Sequence, residues 1–462
     1  MTRKTRLAIL GAHAGYLLAL TITFVAAARA QGNDALSINN EGVECLNKGE
    51  LQKAIATLEA ARRIDPKSST IAVNLGSAYL QQAEELIGRG ELKDAVHWLD
   101  QAISLRAGDE ALKNNLAAAY NDVANVHMRG GRYSEAISLL ETAVSLKSGS
   151  AVLRCNLGIA LYNDNRREEA LVEFRGALSS DPDNPLARKM CGLILYWKGQ
   201  MQEALNELKT AARLSPSDAE VQSVLQKIER EYSVEKEFDV DSQVNFTVSF
   251  DGKKDYRVGR AVIDALEEAR GKVGSDLNFY PREKIAVVIY AGGQFHDLLD
   301  KPKNVGGVYD GKIRVPVGGL DTDRDRDMLR KVLRHEYAHG AVHFLTHNRC
   351  PLWLNEGIAE YESETWDKNK EAQIGEALRK GSFIPLKELS AVLKNTSSAQ
   401  IGLAYCEGLS VVRFIADRFG VYNIRRILDS IDAGDDIDKT LNKAISRDMA
   451  GLEEDWRKSL QQ

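Results

Sequence analysis

A small–large–small pattern of apolar residues recurs five times along the first half of the chain. An alanine opens each occurrence, a large apolar residue follows four positions later, and a second alanine comes three positions after that. The three sets are Ala54, Ala95, Ala136, Ala170 and Ala204, then Leu58, Leu99, Leu140, Phe174 and Leu208, then Ala61, Ala102, Ala143, Ala177 and Ala211. Small residues let two helices approach closely, while the large residue fills the groove beside them. The pattern predicts packed helix pairs over residues 35–217, followed by a capping helix from Asp218 to Tyr232.

The spacing of these alanines differs between the two ends of the array. Ala136, Ala170 and Ala204 lie 34 residues apart, whereas Ala54, Ala95 and Ala136 lie 41 residues apart. Seven additional residues are close to two helical turns, so the first helix of repeats two and three can lengthen while its apolar face keeps its register. The array resembles the tetratricopeptide repeat, a 34-residue helix–turn–helix unit. This resemblance implies an all-α superhelix whose concave surface binds a peptide or a protein partner, with a spacer role as the alternative.

The hydrophobic pattern changes near Glu231. The elements it then predicts are a strand at 244–250, a helix at 257–273, a buried strand at 284–290 and a hairpin at 306–317. The hairpin turns at Asp310-Gly311, and Pro316 favours an edge position for its second strand, near Lys312–Val317. The pattern beyond Asp321 is almost wholly helical, which indicates an α+β domain over residues 237–462 behind a helical domain over residues 35–232. We expect a chain beginning near Val234 to fold without the repeats.

The first thirty residues have the pattern of an export signal. Arg3, Lys4 and Arg6 precede an apolar run from Leu7 to Ala28, and Ala28-Arg29-Ala30 is typical of a signal-peptide cleavage site. The run is also long enough for an uncleaved, membrane-spanning anchor, which is the alternative. Under both interpretations the rest of the chain is exported, as a secreted or periplasmic protein. Membrane attachment is expected only if the segment stays uncleaved.

Charge and cysteine content argue against three kinds of protein or site. The formal net charge is −5, without the basic stripe of a nucleic-acid-binding protein. The five cysteines are odd in number, scattered and free of any C-x-x-C pair. Neither a disulfide scaffold nor a thiolate zinc site is therefore expected.

The chemistry centres on an H-E-x-x-H motif formed by His335, Glu336 and His339, inside the helical run 328–345. Residues four apart share a face of a helix, so the two imidazoles point at one spot and could bind one zinc ion. Glu336 lies beside that spot and could accept a proton from a water molecule activated there. His343 continues the stripe of histidines and is interpreted as a packing or solvated residue.

The segment 352–361, Leu-Trp-Leu-Asn-Glu-Gly-Ile-Ala-Glu-Tyr, opens a second helix behind this motif. Together the two segments resemble the gluzincin metallopeptidases, whose third zinc ligand is a glutamate on the following helix. The resemblance implies that His335, His339 and Glu356 hold a zinc ion, and that Glu360 orients the first histidine from behind. Sixteen residues separate His339 from Glu356, slightly fewer than in the aminopeptidases of this group.

A further match to these enzymes is Tyr405-Cys-Glu-Gly408, which precedes an apolar helix. The resemblance implies that the Tyr405 hydroxyl stabilises the oxyanion of peptide hydrolysis, and the alternative is an ordinary tyrosine at the edge of the core. The G-x-M-E-N segment that binds the substrate amine in aminopeptidases has no counterpart in this chain. Internal cleavage is therefore at least as compatible with the sequence as removal of a terminal residue.

The sequence predicts a multidomain protein, an all-α tetratricopeptide-repeat superhelix followed by an α+β zincin-like metallopeptidase domain. The expected function is zinc-dependent hydrolysis of peptide bonds in exported or envelope proteins, with the repeats recruiting the peptide or protein substrate or a protein partner. The alternative is a repeat-based protein-binding adaptor whose zincin domain is catalytically silent.

Overall fold

The computed structural model describes residues 34–251, 256–302, 305–318, 322–395 and 399–461. The chain divides into two compact units, Met1–Leu157 and Gly158–Gln462. The predicted boundary at residues 232–237 falls inside the second unit and stays a prediction. The predicted export segment, residues 1–30, lies outside the described residues. Across the described ranges, no helix has the length and apolar character needed to cross a bilayer.

The first unit is built from pairs of antiparallel helices. They are α1 (34–47), α2 (Leu51–Ile64), α3 (Ser69–Arg89), α4 (Leu92–Ser104), α5 (Glu110–Arg129), α6 (Tyr133–Leu146) and the beginning of α7 (Ala151–Asn163), inside which the two units meet. Helices α3 and α5 contain 21 and 20 residues, against 13 in α7. The additional residues of repeats two and three therefore lengthen the first helix of each, as predicted. All fifteen residues of the small–large–small pattern are at most 1% exposed.

Glycine permits the close approach of the two helices within a repeat. A Cβ atom at Gly42 would lie 2.6 Å from Cγ of Leu58, and one at Gly192 would lie 2.6 Å from Cγ of Leu208. These distances are far below van der Waals contact, so any larger residue would force the helices of these pairs apart.

The second unit begins with the rest of the repeats. Its first complete helices are α8 (Arg167–Ser180), α9 (Pro185–Trp197), α10 (Met201–Leu214) and the capping helix α11 (Ala219–Glu235). The Asp218 side chain accepts hydrogen bonds from the backbone N–H groups of Glu220 and Val221, which fixes the beginning of α11 as predicted. The helix continues three residues beyond the predicted end at Tyr232, and its last residue, Glu235, is buried.

A five-stranded mixed sheet follows the capping helix. Its strands are β1 (Asp239–Ser242), β2 (Phe246–Phe250), β3 (Ile285–Tyr290), β4 (Val308–Tyr309) and β5 (Ile313–Pro316), in the order β1-β2-β3-β5-β4. Strands β2, β3 and β5 are parallel, while β1 and β4 pair antiparallel at the two edges. The crossovers between the parallel strands contain α12 (Tyr256–Asp276) and α13 (Gly292–Leu299), because parallel neighbours need a long connection.

The predicted edge position of residues 312–317 is wrong. Strand β5 lies between β3 and β4, and the edge is the two-residue strand β4. Strand β4 pairs only with Ile313 and Arg314, so it ends before Pro316. A proline at the end of β5 therefore removes no hydrogen bond on the β4 side, and it does not require an edge strand.

The remaining helices complete the α+β architecture predicted from the sequence. They are α14 (Asp323–Thr346), α15 (Leu352–Glu362), α16 (Lys368–Lys380), α17 (Leu386–Lys394), α18 (Ile401–Phe419), α19 (Tyr422–Asp432), α20 (Ile437–Ile445) and α21 (Met449–Ser459). Helix α14 packs against α12 and α15, and α15 packs against α18. One apolar core joins the inner face of the sheet to these helices, with Phe246, Tyr337 and Trp353 among its largest members.

A buried group of charged and hydroxyl side chains joins β5 to helices of the fifth repeat and the cap. We call it the Arg314 cluster, and it consists of Arg314, Glu231, Glu235, Tyr196 and Tyr290. The Arg314 guanidinium is fully buried and lies 2.9 Å from Oε2 of Glu231 and 3.3 Å from Oε1 of Glu235. It also donates to the hydroxyls of Tyr196 and Tyr290. A buried cation is tolerated only with such partners, so α9, α11 and the sheet depend on one another.

Lys312 extends this polar interior by one more cation. Its side chain is 1% exposed, and its Nζ lies 3.8 Å from the centre of the Tyr196 ring. Burial, together with the neighbouring Arg314, lowers the pKa of Lys312 to about 8. The repeat helices and the sheet therefore share an interior that contains two basic side chains.

Candidate metal centre

Helix α14 places two imidazoles against each other. It begins with a capping box, in which the Thr322 and Asp325 side chains each accept from the other's backbone N–H. His335 and His339 follow one turn apart, and their Nε2 atoms lie 3.1 Å from each other. Tyr337 and Leu333 are buried in the core, which fixes the face that the histidines present.

Helix α15 brings a carboxylate to the same spot. Oε2 of Glu356 lies 3.6 Å from Nε2 of His339 and 3.8 Å from Nε2 of His335. These three residues form a group that could hold a metal ion. Ligand atoms bound tetrahedrally to zinc at about 2.0–2.2 Å lie about 3.3–3.6 Å apart. The observed separations of 3.1–3.8 Å therefore fit one such ion.

Both histidines are supported from behind. Nδ1 of His339 lies 3.1 Å from Oδ1 of Asn355, and Nδ1 of His335 lies 3.8 Å from Oε1 of Glu360. Glu360 in turn accepts from the Thr365 hydroxyl and from Nζ of Lys370, at 2.9 Å in the second case. Such contacts fix which ring nitrogen faces a metal. The sequence predicted the place of Glu360, whereas the contacts of Asn355, Thr365 and Lys370 were missed.

The charges of the centre suit a cation. Burial and the facing His339 lower the pKa of His335 to about 3, so its imidazole is neutral, as a metal ligand must be. Burial raises the pKa of Glu356. Burial also acts to raise the pKa of Glu360, but the hydrogen bonds from Thr365 and Lys370 outweigh it and leave that pKa lowered. The carboxylate behind the first histidine is therefore held in its charged form.

Glu336 lies beside the three donor atoms, close to the edge strand β4. The backbone N–H of Tyr309 donates to its carboxylate, and burial raises the pKa of Glu336 to about 7. A Cβ atom at Gly307 would lie 2.9 Å from both Cγ and Oε1 of Glu336. The absence of a side chain at Gly307 thus lets the backbone before β4 approach this carboxylate.

Tyr405 reaches the same centre from α18. Helices α15 and α18 cross where a Cβ atom at Gly357 would lie 2.5 Å from the backbone oxygen of Gly408. This close crossing brings the Tyr405 hydroxyl near three carboxylates. Burial raises its pKa to about 12, and Glu356, Glu360 and Glu336 add to the shift. The structure therefore brings together all six residues singled out from the sequence.

A cavity of about 270 Å³ opens beside His339 and Glu356. His343 lines it together with Tyr309, Thr346 and Cys350. His343 is thus more than a packing residue, because its ring forms part of a wall next to the metal centre.

Family models of two kinds match the chain. Residues 266–462 match the Peptidase MA superfamily, and tetratricopeptide repeat models match residues 40–111, 116–147 and 164–228. The chain joins tetratricopeptide repeats to a Peptidase MA superfamily domain. The α14 and α15 helices that form the metal centre both lie in this Peptidase MA domain.

Solved structures of repeat proteins are similar to part of the chain. The crystal structure of YrrB, a TPR protein with an unusual peptide-binding site, is 23% identical and covers 42% of this chain and 92% of its own, with a TM-score of 0.28. The second TPR domain of human RPAP3, in complex with the HSP70 peptide SGPTIEEVD, is 22% identical and covers 26% of this chain and 98% of its own, with a TM-score of 0.25. No protein of curated function matches the chain.

Proposed function

We propose that the chain is a zinc-dependent peptidase of the gluzincin type. It hydrolyses peptide bonds in exported or envelope proteins, and its repeats recruit the substrate or a protein partner. The observation that carries the proposal is the convergence of two imidazole nitrogens and one carboxylate oxygen, separated by 3.1–3.8 Å, beside the buried Glu336. The Peptidase MA match over the same residues supports it.

His335, His339 and Glu356 would hold the zinc ion in this proposal. Zinc, when bound there, acts as a Lewis acid toward the carbonyl of the peptide bond. Asn355 lies 3.1 Å from Nδ1 of His339, and Glu360 lies 3.8 Å from Nδ1 of His335. These contacts keep the Nε2 atoms of both imidazoles turned toward the position of the ion.

Glu336 serves as the general base and acid. Its pKa of about 7 suits a group that takes a proton from the attacking water and later delivers it to the leaving amine. Tyr405 donates a hydrogen bond from its hydroxyl to the carbonyl oxygen under attack, because a phenol with a pKa of about 12 stays protonated. In this proposal an extended substrate lies along the edge strand β4, beside Glu336.

The localisation belongs to the same proposal. Residues 1–30 direct the chain out of the cytoplasm, either as a cleaved signal or as an anchor. The substrates are then peptides or proteins of that compartment, and the repeats provide the surface that binds them or a partner.

The test compares Glu336→Gln with the unaltered protein. The substitution keeps the size of the side chain and removes the base, so peptide hydrolysis should fall at least about a hundredfold while zinc content and melting temperature stay the same. Glu376→Gln is the matched control, because Glu376 is exposed and its carboxylate forms an ion pair with the surface residue Lys380. Equal hydrolysis by wild type and Glu336→Gln would refute the mechanism. A zinc-loaded wild type without any activity would favour the silent adaptor.

A second measurement tests the assignment of the ligands. Glu356→Ala should lose its zinc during purification, because it removes a donor atom. Glu360→Ala should retain zinc but bind it about 10–100-fold more weakly, since it removes only an orienting contact. Zinc per chain, measured on both purified variants, decides between the two glutamates. A full complement in Glu356→Ala and none in Glu360→Ala would reverse the assignment.

A further inference from the structure

The fourth repeat supplies a residue that contacts His343, one of the residues that line the cavity beside the metal centre. Arg167, the first residue of α8, is 8% exposed, and its Nη2 lies 3.0 Å from Nε2 of His343. His343 in turn lines the cavity of about 270 Å³ that opens at His339 and Glu356. A repeat residue therefore acts on the catalytic region through a single side chain.

Arg167 fixes His343 in one chemical form. A guanidinium only donates hydrogen bonds, so Nε2 of His343 must accept, and the ring proton must then reside on Nδ1. That nitrogen lies 2.6 Å from Oδ1 of Asn348, which accepts its hydrogen bond. The ring is consequently neutral with both nitrogens engaged, and burial, the largest cause, lowers the pKa of His343 to about 4. His343 presents the cavity with an uncharged wall that has no free donor.

Arg167 is itself held firmly. Its guanidinium lies 4.9 Å from the centre of the Trp197 ring and 5.4 Å from that of Phe344. Its backbone N–H donates to the Glu283 carboxylate, which caps the beginning of α8 in place of an N-cap side chain. Asn165, two residues earlier, donates to the backbone oxygen of Phe344 at 3.0 Å. Four side chains, those of Trp197, Phe344, Glu283 and Asn165, thus determine where the guanidinium meets His343.

The cavity has the size and the charge of a subsite for one side chain. Its volume is just below the range of about 300–1,000 Å³ in which whole small ligands bind. Among its lining residues only Glu356 is charged, and that carboxylate belongs to the metal centre. A charged substrate side chain would lose its hydration there without gaining a partner.

We propose that this cavity is a subsite for an uncharged side chain of the substrate, adjacent to the bond that is cleaved, and that Arg167 is the positioning residue that shapes it. The proposal rests on the proposed peptidase function and adds its substrate class. The repeats then do more than recruit, because the fourth repeat also determines which residue can stand beside the reacting bond.

The test uses the zinc-loaded full-length protein and four N-acetyl amino-acid hydroxamates, those of leucine, serine, lysine and glutamate. The hydroxamate group binds zinc whether or not the protein is active, so calorimetry measures the side-chain preference directly. The leucine and serine compounds should bind about tenfold or more tightly than the lysine and glutamate compounds. Equal affinities for all four would overturn the subsite.

Arg167→Met tests the positioning role. Methionine keeps much of the apolar stem but removes the guanidinium, with its donors, that lies over Trp197, so the preference should fall several-fold while zinc content is retained. Arg166→Met is the matched control, because the exposed Arg166 side chain pairs with Glu169 and should leave the preference unchanged. An unchanged preference in Arg167→Met would overturn the role of Arg167.

Cys350→Phe tests the cavity independently of Arg167. The larger side chain fills the space, so the leucine hydroxamate should lose affinity while free acetohydroxamate, which has no side chain, should bind as before. Unaltered binding of the leucine compound would place the side chain elsewhere and overturn the subsite. If wild type shows the preference but cleaves no peptide, the subsite stands and the proposed peptidase function fails.

Discussion

Residues 34–157 and residues 158–462 differ in what they bury. In the first range, which is described without a gap, no charged side chain is buried, and the buried polar residues are Asn39 and Gln82. Each meets a neutral amide of another helix, as in the 2.9 Å contact of Asn74 with Asn39. The second unit buries eight charged residues among those described, namely Arg167, Glu231, Glu235, Lys312, Arg314, Glu336, Glu362 and Glu407.

Tyrosines in the two regions show the same difference. The Tyr79 and Tyr120 hydroxyls each donate to an acid 20 residues earlier, at Glu59 and Asp100, where the pair is only partly buried. The Tyr196 hydroxyl donates to Glu231, 35 residues later, and both are buried against Arg314. Repeats that contact only other repeats combine apolar packing with neutral or partly buried hydrogen bonds, whereas the repeat and cap helices that contact the sheet become part of a charged interior.

The largest effect is expected from removing the repeats that share this interior. A chain that begins at Val234 lacks Glu231 and Tyr196 and leaves Arg314 with fewer partners. The loss should exceed about 5 kcal/mol and prevent folding. The structure thus changes the expectation, drawn from sequence, that this shorter chain folds. Soluble yield, zinc content and circular dichroism measure the outcome.

A chain that begins at Ser148 provides the control for that truncation. It removes repeats one to three but keeps α7, including the Ser150 side chain that accepts from the N–H of Leu153. It should fold and bind zinc. If the chain from Val234 folds equally well, the difference between the two regions does not extend to their stability.

The next largest effect is expected from Arg314→Met. This variant keeps much of the volume but removes the guanidinium that pairs with both Glu231 and Glu235, which should cost about 3–5 kcal/mol. Lys113→Met in the first region removes an exposed pair with Glu110 and should cost less than about 1 kcal/mol. Thermal unfolding of both variants supplies the measurement, and equal melting temperatures would contradict the prediction.

A matched pair of glycine substitutions should have smaller effects. Gly42→Ala and Gly192→Ala introduce the same 2.6 Å clash in repeats one and five, and each should cost about 1–3 kcal/mol by overpacking. Only Gly192→Ala should also lower zinc affinity, because repeat five belongs to the unit with the metal centre. Gly88→Ala, where a Cβ atom meets nothing within 4 Å, is the control. Loss of zinc in Gly42→Ala instead would show that the first repeat also supports the centre.

The smallest effect is a dependence on pH. Burial raises the pKa of Glu407 from 4.5 to about 8, so between these values the folded protein holds a proton that the unfolded chain releases. The stability associated with this carboxyl is complete below pH 4.5 and is lost as the pH rises toward 8. Glu407→Gln should therefore become more stable relative to wild type as the pH rises from 5 to 8. Denaturation curves of both proteins at pH 5 and pH 8 supply the measurement. A stability difference between variant and wild type that is the same at both pH values would refute the prediction.

The fold could be predicted where a periodic pattern reports burial. The fifteen small and large positions of the repeats are buried as expected, and the longer α3 and α5 follow from the alanine spacing. The position of β5 was predicted wrongly for two reasons. A proline shows only that one backbone N–H is missing, and the two-residue strand β4, which forms the actual edge, is too short to produce an alternating hydrophobic pattern. Pairing partners depend on residues distant in the chain, which local periodicity does not report.

The candidate site was predictable to the extent that its residues lie on two helices with fixed spacing. His335, His339 and Glu356 come together because four-residue spacing and a short loop constrain them. Asn355 immediately precedes the predicted ligand Glu356. Its contact with Nδ1 of His339 was not predicted, although its place in the sequence beside a ligand could have suggested one. The contact of Arg167 with His343 spans 176 residues, and no motif in the sequence connects the two.

The Arg314 cluster also has a consequence for the time at which the chain can complete its fold during synthesis. Arg314 follows Glu231 by 83 residues. At about 5–20 residues per second, a ribosome needs roughly 4–17 seconds to add them. Repeats one to three can assemble as they emerge, since their partners are nearest neighbours. The capping helix must wait for β5, and during that interval its carboxylates face water rather than a cation.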